Sequence, residues 1–103
     1  MKKTPFFTLK TDSSLKEGNK IIYLKLQSQW VSDIVSGNKK SELRVNDRDF
    51  KVGDLLYLQE IDDNQAFTGK ILVVRITHIV QDIKYLQENY ACLSIQYLKT
   101  LSN

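Results

Sequence analysis

Residues 36–54 read S-G-N-K-K-S-E-L-R-V-N-D-R-D-F-K-V-G-D, and the interpretation of the whole chain starts from this charged segment. It holds five cations and four anions, with Gly37 near its start and Gly53 near its end. A nucleic-acid-binding tail that does not fold is typically a run of one charge sign. Alternating signs with apolar residues between them are instead typical of a folded site or of a surface crossed by salt bridges. We therefore expect the charged segment to be structured.

Hydrophobic periodicity predicts strands inside and around the charged segment. Residues 40–46 alternate, with Leu43 on the strand face opposite Glu42 and Arg44. This pattern predicts that the Leu43 face packs in the core and that Glu42 and Arg44 look into solvent or a cleft, close enough to pair. Four further strands are predicted, at residues 21–26, 55–60, 70–80 and 90–98.

A short amphipathic helix is predicted between the first two strands. Ser28 is a candidate N-cap, and Gly37 stands where a left-handed C-terminal cap belongs. Apolar residues from Trp30 to Val35 recur at helical spacing. The spacing favours core packing for Trp30, and stacking on a base is the functional alternative for Trp30 and Tyr23.

Composition limits the class of protein. The chain has 103 residues, 42% hydrophobic and 26% charged, which predicts one folded domain rather than disorder. A net charge of +3 permits phosphate-bearing partners without requiring them. The single cysteine, Cys92, and the lack of zinc-type spacing predict no metal and no cofactor. No apolar run suits a membrane span or a secretory signal, so a cytoplasmic location and no membrane contact are expected.

Together these elements predict a mainly β (α+β) fold. The expected architecture is a small five- to six-stranded antiparallel β-barrel with one short helix packed beside a cleft. Residues 1–20, which include Phe6 and Phe7, are predicted to be a partly flexible N-terminal extension, and residues 21–103 a single domain. The sequence does not predict an oligomeric state.

The order of these motifs resembles a known family. It runs from I-I-Y-L-K-L through a helix with Trp30 and the charged segment to T-G-K-I-L-V-V-R-I-T-H-I and Y-A-C-L-S-I. This order is similar to the ASCH domains of the PUA-like superfamily. It is most similar to an uncharacterised small bacterial or phage branch with the signature G-x-K-x-x-E-x-R-x-N-D-R-x-F-x-V-G-D. The similarity covers residues 21–97 and leaves out residues 1–20.

The resemblance implies a β-barrel whose cleft is lined by the G-x-K-x-x-E-x-R part of the signature. It implies an RNA- or nucleotide-binding module with a basic, polar cleft. The implied binding residues are Lys39, Glu42 and Arg44 in the cleft, and Asn46, Asp47 and Arg48 at its rim.

The alternative that the resemblance implies is a hydrolase acting on a nucleoside or RNA, either an amidohydrolase or a ribonuclease. Lys39 and Glu42 would then be its catalytic acid–base pair. The amidohydrolase branch carries a Thr three residues after its Lys, where this chain has Glu42. Ser41 is expected on the opposite strand face, so the nucleophile of that branch has no clear counterpart here.

Each candidate also has a structural explanation. The helix dipole favours a cation such as Lys39 after a helix C-terminus, and Glu42 and Arg44 are also expected as an ordinary ion pair. The residues from Asn46 to Arg48 suit a turn, because Asn and Asp hydrogen-bond their own backbone. Gly53 is interpreted as a requirement of backbone geometry.

Overall fold

Five strands and one short α-helix make up the described part of the chain, residues 12–81, 84 and 86–102 of a computed structural model. The elements in chain order are β1 (Ile21–Gln27), a 3-10 turn (Ser28–Trp30), α1 (Val31–Ser36), β2 (Ser41–Val45), β3 (Leu55–Ile61), β4 (Phe67–Val80) and β5 (Tyr90–Ser102). The predicted mainly β class with one short helix is confirmed. Strand β4 begins three residues earlier than predicted, and β5 ends four residues later.

The helix ends as its sequence predicts. Gly37 has a φ of 86°, and its N–H donates to the Ile34 carbonyl at 3.1 Å, which makes it the left-handed cap. Ser28 does not cap the helix, because it begins the 3-10 turn.

The strands form one curled sheet in the order β1-β3-β4-β5-β2, a half-barrel whose edges are β1 and β2. Strands β3, β4 and β5 form an antiparallel meander, and β2 pairs antiparallel with β5. The prediction of a purely antiparallel sheet is wrong, because β1 pairs parallel with β3 from Ile21↔Leu55 to Gln27↔Ile61. The crossover between them contains α1 and β2, and a long crossover is what parallel pairing requires.

Irregular pairing helps the sheet to curl. The register between β4 and β5 shifts between Val73 and Val74 and again between Ile76 and His78, and the β3–β4 register shifts between Gln59 and Ile61. Such bulges bend a strand and increase its twist. Strand β4 therefore bends along its 14 residues instead of extending as a flat ribbon.

The larger core cluster joins one face of the sheet to the helix. Ile34 of α1 and Phe50 of the charged segment are both buried in it. The remaining members are strand residues that are apolar and buried: Ile22, Leu24, Leu26, Leu56, Leu58, Leu72, Val74, Ile76, Ala91, Leu93 and Ile95. This cluster fixes α1 against the sheet and so fixes the start of the charged segment that follows it.

The opposite face of β3 and β4 is also buried. Its core is Leu55, Tyr57, Ile71 and Val73, and Leu15 from before β1 packs against them. Residues 12–20 therefore cover part of this face. Residues 1–11, including Phe6 and Phe7, lie outside the described residues, so the flexibility of the N-terminal extension and its boundary at residue 20 stay predictions.

Asp12 fastens the segment before β1 to the sheet. Its carboxylate accepts a hydrogen bond from the Tyr57 hydroxyl and lies 3.2 Å from Lys99 Nζ. Burial raises the pKa of Asp12, but the bonds from Tyr57, the Ser14 backbone N–H and Lys99 outweigh burial and hold that pKa below its usual value. Burial and, after it, the hydrogen bond to Asp12 raise the pKa of the Tyr57 hydroxyl.

Strand β2 is turned over relative to its predicted orientation. The prediction that the Leu43 face lies in the core is wrong, because Leu43 is 58% exposed and Glu42 only 7%. The alternation of polar and apolar residues correctly assigns each residue to one of two strand faces. It does not tell which face is buried. The Glu42 face turns toward β1, where Arg44 bonds both Glu42 and the Lys25 carbonyl, and Leu43 is left at the surface.

Candidate functional site

Two arginine side chains bridge the edges of the half-barrel. Arg44 Nη2 donates to the Lys25 carbonyl of β1 at 2.7 Å, and Arg48 Nη1 donates to the Tyr23 carbonyl at 3.1 Å. Both carbonyls belong to the edge strand β1, whose backbone groups need partners outside the sheet. In a complete barrel, backbone hydrogen bonds would close the gap between the two edge strands. Here side chains of the charged segment close it.

The Glu42 carboxylate lies beside this bridge and is nearly buried. Its Oε2 accepts from Arg44 Nε at 2.9 Å and from Arg44 Nη2 at 2.6 Å. Its Oε1 lies 3.2 Å from Lys39 Nζ. Two cations therefore share one carboxylate, which compensates the burial of Glu42 and holds both cations in place.

Lys39 links the carboxylate to the only tryptophan of the sequence, Trp30. The Lys39 ammonium lies 5.4 Å from the centroid of the Trp30 ring and donates to the Ser41 carbonyl at 2.7 Å. Trp30 is 40% exposed, so the preference for core packing was wrong. The reason is that Trp30 ends the 3-10 turn before α1, while Ile34 provides the buried contact of the helix.

These side chains line a cavity of about 440 Å³ at the seam between β1 and β2. Its charged groups are three cations and one carboxylate, which leaves an excess of two positive charges. Its lining residues are Lys25, Lys39, Arg44 and Glu42, the amides Gln27 and Gln65, the aromatic Trp30, and the apolar Leu26, Leu43 and Ile61. The predicted cleft residues Lys39, Glu42 and Arg44 are thus brought together, and the sequence did not identify Lys25, Gln27 or Gln65.

The predicted rim residues serve the turn after β2 and are absent from the described cavity lining. Asn46 Oδ1 accepts from the Phe50 N–H at 3.3 Å, and the Asn46 N–H donates to the Asn89 carbonyl at 2.6 Å. Asp47 and Arg48 lie 3.7 Å apart as an exposed pair. Their part in binding stays a prediction.

The end of the charged segment is built around a buried carboxylate that the sequence did not reveal. Asp54 accepts from Lys20 Nζ at 2.8 Å, from the Lys51 N–H at 2.9 Å and from Asn19 Nδ2 at 3.0 Å. Burial raises its pKa, but the hydrogen bonds from Lys20, Lys51 and Asn19 outweigh burial and hold that pKa below its usual value. Asp54 therefore attaches the start of β3 to the segment before β1.

The contact between Asn19 and Asp54 also favours glycine at position 53. Its φ is 97°, and a Cβ at this position would lie 2.4 Å from Asn19 Oδ1. Both the left-handed conformation and the close approach of Asn19 disfavour a side chain here. The positive φ of Gly53 agrees with its interpretation as a requirement of backbone geometry.

Two kinds of feature are missing from residues 12–81, 84 and 86–102. No three His, Cys, Asp or Glu side chains come together there as a metal-binding group. No helix in this part of the chain has the length and hydrophobicity to cross a membrane. The cytoplasmic location stays a prediction.

Residues 21–95 match the model of a family described as "Domain of unknown function (DUF3850)". The chain belongs to this family. Every residue of the cavity lies within the DUF3850 match. Over 74 residues the chain is 34% identical to the "Uncharacterized 12.9 kDa protein in GpA 3'region" of Escherichia phage P2. That similarity covers 72% of this DUF3850 chain and 66% of the phage protein.

Proposed function

We propose that this protein is a small RNA- or nucleotide-binding module of the ASCH type within the PUA-like superfamily. The observation that carries the proposal is the exposed Trp30 ring beside the cationic cavity, with the Lys39 ammonium 5.4 Å from its centroid. A nucleotide combines an anionic phosphate with a flat aromatic base. The cavity offers cations that can bind the phosphate and an aromatic face on which the base can stack.

The phosphate would lie among Lys25, Lys39 and Arg44. Arg44 already uses part of its guanidinium on Glu42 and the Lys25 carbonyl, so its role toward a ligand is mainly electrostatic. Lys25 and Lys39 supply ammonium groups that act on a phosphate as point charges. The excess of positive charge attracts the phosphate without a change in the backbone.

The base would stack on Trp30 and be recognised at its edge by the cavity amides. Gln27 and Gln65 each carry a donor and an acceptor group, as the hydrogen-bonding edges of bases do. Glu42 contributes indirectly, because its carboxylate fixes Lys39 and Arg44 before a ligand arrives. Cations held in place in this way lose less entropy on binding than free side chains would.

The single tryptophan allows a direct test. A titration of the protein with a short single-stranded RNA of mixed sequence, followed by Trp30 fluorescence, should show saturable quenching that weakens as salt is raised. An amide NMR titration of the same sample should place the shifted signals at residues 25–48 and 61–65. Unchanged fluorescence together with unchanged spectra at millimolar RNA would refute the proposal.

A hydrolase is the second candidate, and the contact of 3.2 Å between Lys39 Nζ and Glu42 Oε1 favours it. The two groups lie in a cavity and form a possible acid–base pair. Both Glu42 oxygens are occupied by cations, however, so proton transfer would require a substrate to displace one of them. The test is turnover of acylated nucleosides or short RNAs: Glu42→Gln should abolish it if Glu42 takes part in the chemistry. Absence of turnover in the parent protein would remove this candidate.

A further inference from the structure

A second cavity, of about 430 Å³, lies between α1 and β5. Val35 and Gly37 line it from the helix side, and Ile95, Gln96 and Tyr97 from the strand side. The Tyr97 hydroxyl lies 2.7 Å from Thr100 Oγ1, which restrains the ring. The walls are thus mainly apolar and include an aromatic ring, as a site for a flat base requires.

Lys39 lines both cavities, and therefore lies between them. Its ammonium is turned toward the first cavity, where it contacts Glu42 and Trp30. Lys40, the next residue, lines the second cavity and is exposed. Each of the two cavities is therefore suited to one base. The cation of Lys39 lies between the cavities, and the cation of Lys40 lies at the second one.

We propose that the ligand is a single strand of at least two nucleotides, with one base in each cavity and the phosphate that joins them on Lys39. This inference rests on the proposed function and adds the ligand's minimum length and a second base site. Cations and cavities alternate along this surface, as phosphates and bases alternate along a nucleic-acid strand. A mononucleotide fills one cavity only and leaves Val35 and the Tyr97 wall exposed to water.

The test compares adenosine 5′-monophosphate (AMP) with the dinucleoside monophosphate ApA, both by Trp30 fluorescence and by calorimetry. ApA carries less negative charge than AMP, so simple charge attraction favours AMP. A second base site reverses that order, and we expect ApA to bind at least about tenfold more tightly, as one added stacking contact allows.

Two variants locate the second base. Val35→Trp fills the second cavity from the helix side, and Gln96→Trp fills it from β5, so either one suffices if the other fails to fold. Each should bring the ratio of ApA affinity to AMP affinity close to one, as measured by calorimetry because the added tryptophan obscures Trp30 fluorescence. Val52→Trp adds the same side chain at an exposed position outside both cavities and should keep the parent ratio.

The possible outcomes separate the inference from the proposed function. Equal, measurable binding of AMP and ApA overturns the two-base inference and leaves nucleotide binding in place. A high ratio that survives in whichever of Val35→Trp and Gln96→Trp folds overturns the assignment of the second cavity. If AMP, ApA and a longer RNA all fail to bind, the proposed function fails and the inference with it.

Discussion

Arg44 on one edge strand donates a hydrogen bond of 2.7 Å to the backbone carbonyl of Lys25 on the other. The same guanidinium holds Glu42 through Nε and Nη2. One side chain thus joins the edges of the half-barrel and positions a charge in the cavity between them. Changes at Arg44 will therefore combine effects on stability and on binding, and both must be measured.

Arg44→Lys should lower the free energy of unfolding by about 1–2 kcal/mol, because a lysine cannot grip Glu42 and reach the Lys25 carbonyl together. Urea unfolding followed by circular dichroism measures this loss. Arg48→Lys is the matched control, since Arg48 makes the same kind of bridge from a more exposed position, and it should cost less than about 1 kcal/mol. Equal losses in the two variants would contradict the special role of Arg44.

Lys25→Ala should weaken RNA binding equally for all sequences and reduce the slope of log affinity against log salt by roughly 0.7, the value for one phosphate contact on a single strand. Affinities at several salt concentrations give the slope. Lys51→Ala removes the same charge outside the cavity, where Lys51 pairs with Asp49 at 3.1 Å. An equal change of slope in both variants would show that general charge, not the cavity, drives binding.

Trp30→Ala should reduce RNA affinity by about 1–3 kcal/mol, the range for loss of one base-stacking contact. Stability should change by less than about 1 kcal/mol because Trp30 is 40% exposed and belongs to neither core cluster. Calorimetry measures the affinity, since the fluorescent group is lost. A large loss of stability with unchanged affinity would mean that Trp30 is a structural residue.

Acid should destabilise the protein partly through Asp54. The pKa of Asp54 is lower in the folded chain than in the unfolded chain, so the ionised carboxylate favours folding. Its contribution is complete above the unfolded pKa of about 3.9 and is lost as the pH falls through the lower folded value. Asp54→Asn should cost about 2 kcal/mol at pH 7 and less at pH 3, as measured by urea unfolding. A loss independent of pH would exclude this linkage.

Gly53→Ala should destabilise the protein more than Gly37→Ala. Both glycines have positive φ, so either alanine costs about 1–2 kcal/mol of backbone strain. At Gly37 a new Cβ would lie 4.0 Å from the flexible Lys40 side chain, whereas at Gly53 it would lie 2.4 Å from the Asn19 amide. Asn19 would have to leave Asp54 as well. Thermal unfolding of both variants checks the order, and equal losses would argue against the Asn19 contact.

The sequence predicted the positions of the strands well, because period-two hydrophobicity directly reflects a half-buried sheet. It failed on the partner of β1. The pairing of Ile21 with Leu55 joins residues separated by α1 and β2, and local patterns hold no information about such a distant partner. The orientation of β2 failed for a related reason, since only the complete sheet shows that Glu42 turns toward β1 and that Leu43 does not.

For the candidate site, the charged segment alone gave Lys39, Glu42 and Arg44. In the sequence, Lys25 was only a residue on the polar face of a strand, and Gln65 was only a loop residue. They come together at the seam because the sheet curls, which the sequence pattern does not show. Trp30 was misplaced because its spacing suits the helix stripe, although its backbone belongs to the preceding 3-10 turn.

The sheet order has a consequence for how the molecule assembles. Residues 55–102 hold the β3–β4–β5 meander, whose contacts are local in sequence, whereas β1 and β2 come from one short stretch of chain and attach to opposite ends of it. Local hairpins form before distant pairings, because closing long loops costs entropy. We therefore expect the seam and its cavity to be completed last in folding. Substitutions there should mainly accelerate unfolding and leave the folding rate nearly unchanged.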